Sequence, residues 1–114
     1  MTGQPVWLIP LIALACRAGT APSGVPEGPP DFRGTIAQIF EDSTYLIDDG
    51  SATACGFSVM RINAETTLWW PVGGRAEASD LRLGRRVSLW QRDEGEARCR
   101  TVDARAVVIE HVGP

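Results

Sequence analysis

Seven of the twelve residues 19–30 are proline or glycine. Proline fixes φ and has no N–H to donate, and glycine loses the most freedom on folding, so a stretch this rich in both resists helix and strand. It therefore cuts the chain in two. Ahead of it lies an apolar run, residues 6–15, that ends Ala13-Leu14-Ala15-Cys16. After it come about 80 residues, enough for one domain with one modest core. The expected division is a leader at 1–15, a Gly/Pro/Ala-rich tether at 16–30 and a folded domain at 31–114.

The apolar run contains Pro10 and is about half the roughly 20 residues that a bilayer-spanning helix needs. Its length, followed by small residues, has the form of a signal-peptide core and cleavage zone, with Ala13 and Ala15 as the small-x-small pair. The cysteine that follows resembles the bacterial lipobox, in which that residue takes a lipid and becomes the mature N-terminus. The pattern departs from the lipobox at Ala13, where leucine is usual, and residues 1–5 hold no Lys or Arg. Two outcomes stand for an exported chain: Cys16 is lipidated, or the leader is simply cut away. A buried N-terminal strand or short helix is the plain alternative. Export predicts the bacterial cell envelope, either the periplasm or a membrane-anchored lipoprotein, with membrane contact only through a lipid on Cys16.

The formal net charge is −3, and residues 1–15 contribute no charged side chain to it. A weakly acidic domain has no electrostatic footprint for nucleic acid, so no nucleic-acid partner is expected. All eleven basic residues are arginine. So uniform a usage reads as a trait of the whole composition and weakens any special meaning of one Arg. With Cys16 set aside in the tether, as a lipid site or the mature N-terminus, Cys55 and Cys99 remain in the domain. An oxidising compartment allows them to pair, and the closed loop would stabilise the fold by roughly 4 kcal/mol in the chain-entropy model. Two separate buried thiols are the alternative.

The domain reads as short β-runs divided by turn residues. Residues 33–40 form a first run, and 44–48 a second that ends in the hairpin signal Asp49-Gly50. Residues 54–62 form a third, and 66–70 a brief extension. Residues 79–84, Ser-Asp-Leu-Arg-Leu-Gly, have the look of one helical turn with a cap and a glycine stop. A fourth strand spans 86–92, a polar turn 93–96, and a longer fifth strand 98–111. In that last strand residues 104–109 are apolar on nearly both faces, which suits a closing strand with a second packing surface outside. Five strands with a helical turn between the third and fourth is the element order of an OB-like barrel, the expected all-β fold. Its third and fifth strands lie parallel, which brings Cys55 and Cys99 near one another. Strand parity sets the two cysteines on different faces unless a bulge near Gly56 intervenes.

The stretches Met60-Arg61-Ile62-Asn63-Ala64-Glu65-Thr66-Thr67-Leu68 and Ser79 through Trp90, with the Ala/Val/Ile-rich run 104–109, are similar to small secreted or lipoprotein bacterial OB-fold domains of uncharacterised function. The resemblance covers residues 33–110. It implies the fold and carries over no catalytic residue.

Candidate chemistry is sparse. His111 is the sole histidine, and a metal site or a nucleophile–base pair needs more than one such group. It reads as a solvated strand end. Ser58 lacks the second glycine of a nucleophile elbow and reads as a strand serine. Asp48-Asp49-Gly50-Ser51 lacks the later ligands of a calcium loop and reads as a turn. No metal, cofactor or catalytic residue is therefore expected. Trp69 and Trp70 stand out, because neighbours in a strand face opposite ways and one indole could plug the barrel while the other lies outward. Trp90 and Arg75 could extend such a surface, Arg75 toward an anion. An OB-fold usually binds through strands two and three and the flanking loops. Here those loops, 41–43 and 93–97, are acidic, which disfavours single-stranded nucleic acid. The expectation is a non-catalytic envelope module that binds a protein partner or a small ligand. The alternative is a small-ligand or glycan binder that uses Trp69 and Trp70.

Overall fold

A computed structural model describes residues 25–110. Cys16, His111, the leader and most of the tether lie outside the described residues. Residues 25–30 carry no strand or helix. The element order is β1 (Phe32–Phe40), β2 (Thr44–Asp48), β3 (Phe57–Arg61), β4 (Thr67–Trp69), a 3-10 turn (Ala78–Asp80), β5 (Arg86–Gln91) and β6 (Thr101–Ile109). Strands β3-β2-β1-β5-β6 pair in that order, and a parallel β3–β6 pairing closes the ring. The domain is therefore all-β, a small closed five-stranded OB-like barrel. The expected brief extension is a short strand, β4, that pairs parallel to β6 beyond the end of β3.

Two irregularities shape the barrel. Strand β1 pairs with β5 through residues 32–35 and with β2 through 35–40, so it must curve across the ring. Gly34 lies in that bend, and a bulge at Ala37 follows it. In β6, Ala104 pairs with Gln91 and Ala106 with Trp90, which leaves Arg105 as an extra residue. The bulge switches parity. Before it Val102 and Ala104 fill the interior; after it Val107 and Ile109 do, and Ala106 and Val108 face out. The apolar pattern on both faces of 104–109 thus serves two layers, as expected.

The interior is packed by Ile36, Ile47, Met60, Val87, Leu89, Val107 and Ile109, with Phe32 and Leu81 at its margin. Burial raises the Tyr45 phenol above its ordinary pKa. Ser58 points into this core from β3, as a strand serine, and its hydroxyl has no hydrogen-bond partner. A buried hydroxyl without a partner costs about 1–3 kcal/mol. Ser58→Ala is therefore expected to raise stability by about 1 kcal/mol, read as a higher denaturant midpoint at unchanged slope. A lower midpoint would show that the hydroxyl finds an acceptor.

Cys55 and Cys99 form a disulfide, with Cα atoms 4.8 Å apart. The parity conflict dissolves because neither residue is in a strand. β3 begins at Phe57 and not at 54, and β6 begins at Thr101 and not at 98. The Asp49-Gly50 turn is likewise wider than a two-residue hairpin. Its backbone closes between Asp49 N–H and the Gly56 carbonyl at 2.8 Å, and Asp48 and Asp49 carboxylates cap Gly50 and Ser51 N–H at 2.8 Å each. Ser51, through its hydroxyl and then its N–H, holds the Asp49 carboxyl below its ordinary pKa, and the charge of Arg98 at 3.4 Å adds to this. The helical turn is capped by Glu77 rather than Ser79. The turn spans Ala78–Asp80 and ends at Leu81, short of the expected 79–84; Leu81 is buried, Leu83 is exposed, and Gly84, at a φ of 87°, lies in the loop before β5.

Candidate binding trough

Beyond the core lies a second apolar layer on the outside of the barrel. Cross-strand pairing sets Arg33 of β1, Ser88 of β5, Val108 of β6 and Trp69 of β4 in one row. The next row holds Trp90, Ala106 and Thr67. Directly paired residues share a face, so these side chains form one continuous outer surface.

That surface is the floor of a trough of about 550 Å³, lined by Val25, Arg33, Pro71, Val72, Ser88, Trp90, Val108 and Glu110. The volume is in the range of sites for small ligands. One wall is the β4 hairpin tip. Trp70 N–H bonds the Gly74 carbonyl at 2.7 Å and Gly73 N–H bonds the Trp70 carbonyl at 2.9 Å, a tight turn with Gly73 at φ 102°. The turn leaves Val72 91% exposed. An apolar side chain so bare beside an apolar concavity marks a recognition surface more often than an isolated surface valine does.

Trp90 is the floor, only 8% exposed, and its indole N–H has no partner. Trp69 beside it is equally buried, and its N–H is also unpartnered. The rim at one end is charged. Arg33 contacts Glu110 at 3.4 Å, and Arg86 contacts the other oxygen of Glu110 at 3.7 Å.

The sequence singled out Trp69, Trp70, Arg75 and Trp90, and the structure separates their roles. Trp69 faces outward but is covered, with the Arg75 guanidinium 5.0 Å from its ring centre. Trp70 is half-buried and packs against the core margin, with Arg85 5.6 Å from its ring. Arg75 stacks on Trp69 and does not line the trough. Trp90 does line it. Arg33, Val72, Val108 and Glu110 were missed. The signals for them were present in the doubly apolar last strand and in the loop that follows Trp70.

The face expected from the fold, β2 with β3, is different in kind. Its outward residues Leu46, Phe57 and Val59 are half-buried. Arg61 is already paired with Asp103, Nε to Oδ1 at 2.9 Å and Nη2 to Oδ2 at 3.3 Å. The loops 41–43 and 92–100 stand at opposite ends of β3: Ser43 accepts the Ile62 N–H, and Cys99 donates to Phe57. The trough lies instead across β1, β5 and β6. Among the described residues no group of three His, Cys, Asp or Glu side chains is placed to hold a metal ion, and no helix is long and apolar enough to cross a membrane.

The fold and this concavity define the class, a small OB-like barrel with an external apolar trough. Comparison with protein-family models, curated proteins and solved structures finds no match for the chain.

Proposed function

We propose that the chain is a non-catalytic binding module of the bacterial cell envelope, anchored through Cys16 or released by cleavage, and that it holds its partner or ligand in the trough. The observation that carries this reading is the conjunction of a bare Val72 with a buried apolar floor. The Cys55–Cys99 disulfide supports an oxidising location, because cytosolic thiols are usually kept reduced. The resemblance to small secreted OB-fold domains points the same way. A platform for sugars on Trp69 is less well supported, since Arg75 already occupies a face of that ring.

The test is native mass spectrometry of the protein recovered from its own cells. The expected species begins at Cys16, carries an oxidised Cys55–Cys99 pair and retains a bound protein or small molecule. Val72→Arg should weaken that complex by about tenfold or more, as loss of an interface anchor does. A chain that keeps Met1 in the cytosol overturns the envelope assignment. A bound species indifferent to Val72→Arg, or none at all, overturns the trough as its seat.

A further inference from the structure

The residues of the trough also restrict what chemistry enters it. Apart from Ser88, its floor and walls are apolar: Val25, Pro71, Val72, Val108 and the ring of Trp90. Only one end is charged, and there two guanidinium groups, Arg33 and Arg86, share the single carboxylate of Glu110. The rim therefore carries a surplus of one positive charge. Asp31, at the head of β1, does not line the trough; its carboxylate accepts the Gln91 N–H at 2.8 Å, at the end of β5 away from Arg86.

The Arg33–Glu110 contact is long and solvent-exposed, so it holds Arg33 weakly. A guanidinium in that state can turn to an incoming carboxylate and meet it with two parallel N–H donors. Trp90 offers the trough apolar surface: the residue is 8% exposed and its indole Nε1 is covered, so the acid group has the Arg33 end to meet.

We propose that the trough is a site for a small amphipathic monocarboxylate, a molecule with a flat or chain-like apolar body and one acid group. The apolar body lies over Val108 and Trp90 beneath the Val72 hairpin. The acid group sits at the Arg33 end. This rests on the binding-module reading and gives it a ligand class.

The test uses 2-naphthoate and its neutral counterpart 2-naphthalenemethanol as probes on the ¹⁵N-labelled full-length chain. Trp90→Phe identifies the Trp90 indole resonance. That resonance is expected to move with 2-naphthoate, together with the backbone signals of Ser88 and Val108. The alcohol should bind about tenfold more weakly, the scale of one charge-assisted hydrogen-bonded contact. Arg33→Gln should remove about that same factor for the acid and leave the alcohol unchanged. Arg33 is exposed on the outside of the barrel, so the variant is expected to fold. Equal affinity for acid and alcohol, indifference to Arg33→Gln, absence of binding at millimolar probe, or shifts confined to Leu46 and Val59 would each overturn the proposal. A native complex still abolished by Val72→Arg would in that case leave the binding-module reading standing.

Discussion

Replacing Cys55 and Cys99 together by serine is expected to lower stability by about 3 kcal/mol. Joining residues 44 apart in sequence removes unfolded-state freedom worth about 4 kcal/mol in the chain-entropy model. Loss of a native disulfide from a small domain typically costs about 2–5 kcal/mol, less than the full model value where the reduced chain keeps some structure, which puts the expectation at about 3 kcal/mol. Location makes this loss matter. The ring closes through a parallel β3–β6 seam of only three residue pairs, Val59 with Thr101, Met60 with Val102 and Arg61 with Asp103. The disulfide guards one end of that seam, and the Arg61–Asp103 pair guards the other. That ion pair is exposed and stabilises by less than about 1 kcal/mol. For a domain of this size the loss corresponds to a fall in melting temperature of roughly 15 °C. Dithiothreitol should reproduce the effect in the native chain and leave the serine variant unmoved. A melting temperature that changes by only a degree or two would mean that the seam holds without its covalent link.

Gly34→Ala is expected to cost about 2–3 kcal/mol, although alanine is the mildest of side chains. A Cβ at position 34 would press on the Asp48 carbonyl, with its carbon 2.7 Å away, and would lie 3.0 Å from Ile47 Cγ2. The obstacle is mainly backbone, so no rotamer change relieves it. The β1–β2 ladder would have to spread at the point where β1 turns from β5 to β2. Gly74→Ala is the natural control. There the new methyl group meets only Trp70 Cδ1 at 3.8 Å, and the expected change is within about 0.5 kcal/mol. Urea midpoints of the two variants measured side by side decide the matter. Equal tolerance at 34 and 74 would mean that β1 passes β2 less closely than described.

The fold was legible in the sequence because its signals are local. A short apolar run before Asp49-Gly50 announced β2, alternation of Val87 and Leu89 announced β5, and the order of runs with a turn before Arg86 announced the barrel. The disulfide was half legible. Topology brought Cys55 and Cys99 together, but parity seemed to part them, and only the late starts of β3 and β6 removed the conflict. The trough was hidden because it depends on pairing between strands distant in sequence. Nothing in the composition says that Arg33, Ser88, Val108 and Trp69 stand in one row. Trp69 and Trp70 drew attention as adjacent indoles, yet Trp90 came to line the concavity, through its register opposite Ala106.

The extra residue at Arg105 has a consequence for how such a barrel can change. It acts as a phase shifter: upstream and downstream of it the same strand obeys opposite rules about which side is greasy. Deleting it would leave Ala104 opposite Gln91 and Ala106 opposite Trp90 in an unbroken ladder, with Val107 and Ile109 still indoors and Ala106 and Val108 still out. One codon can thus come or go at this point with both the lumen packing and the outer wall conserved, because the bulge absorbs the added residue.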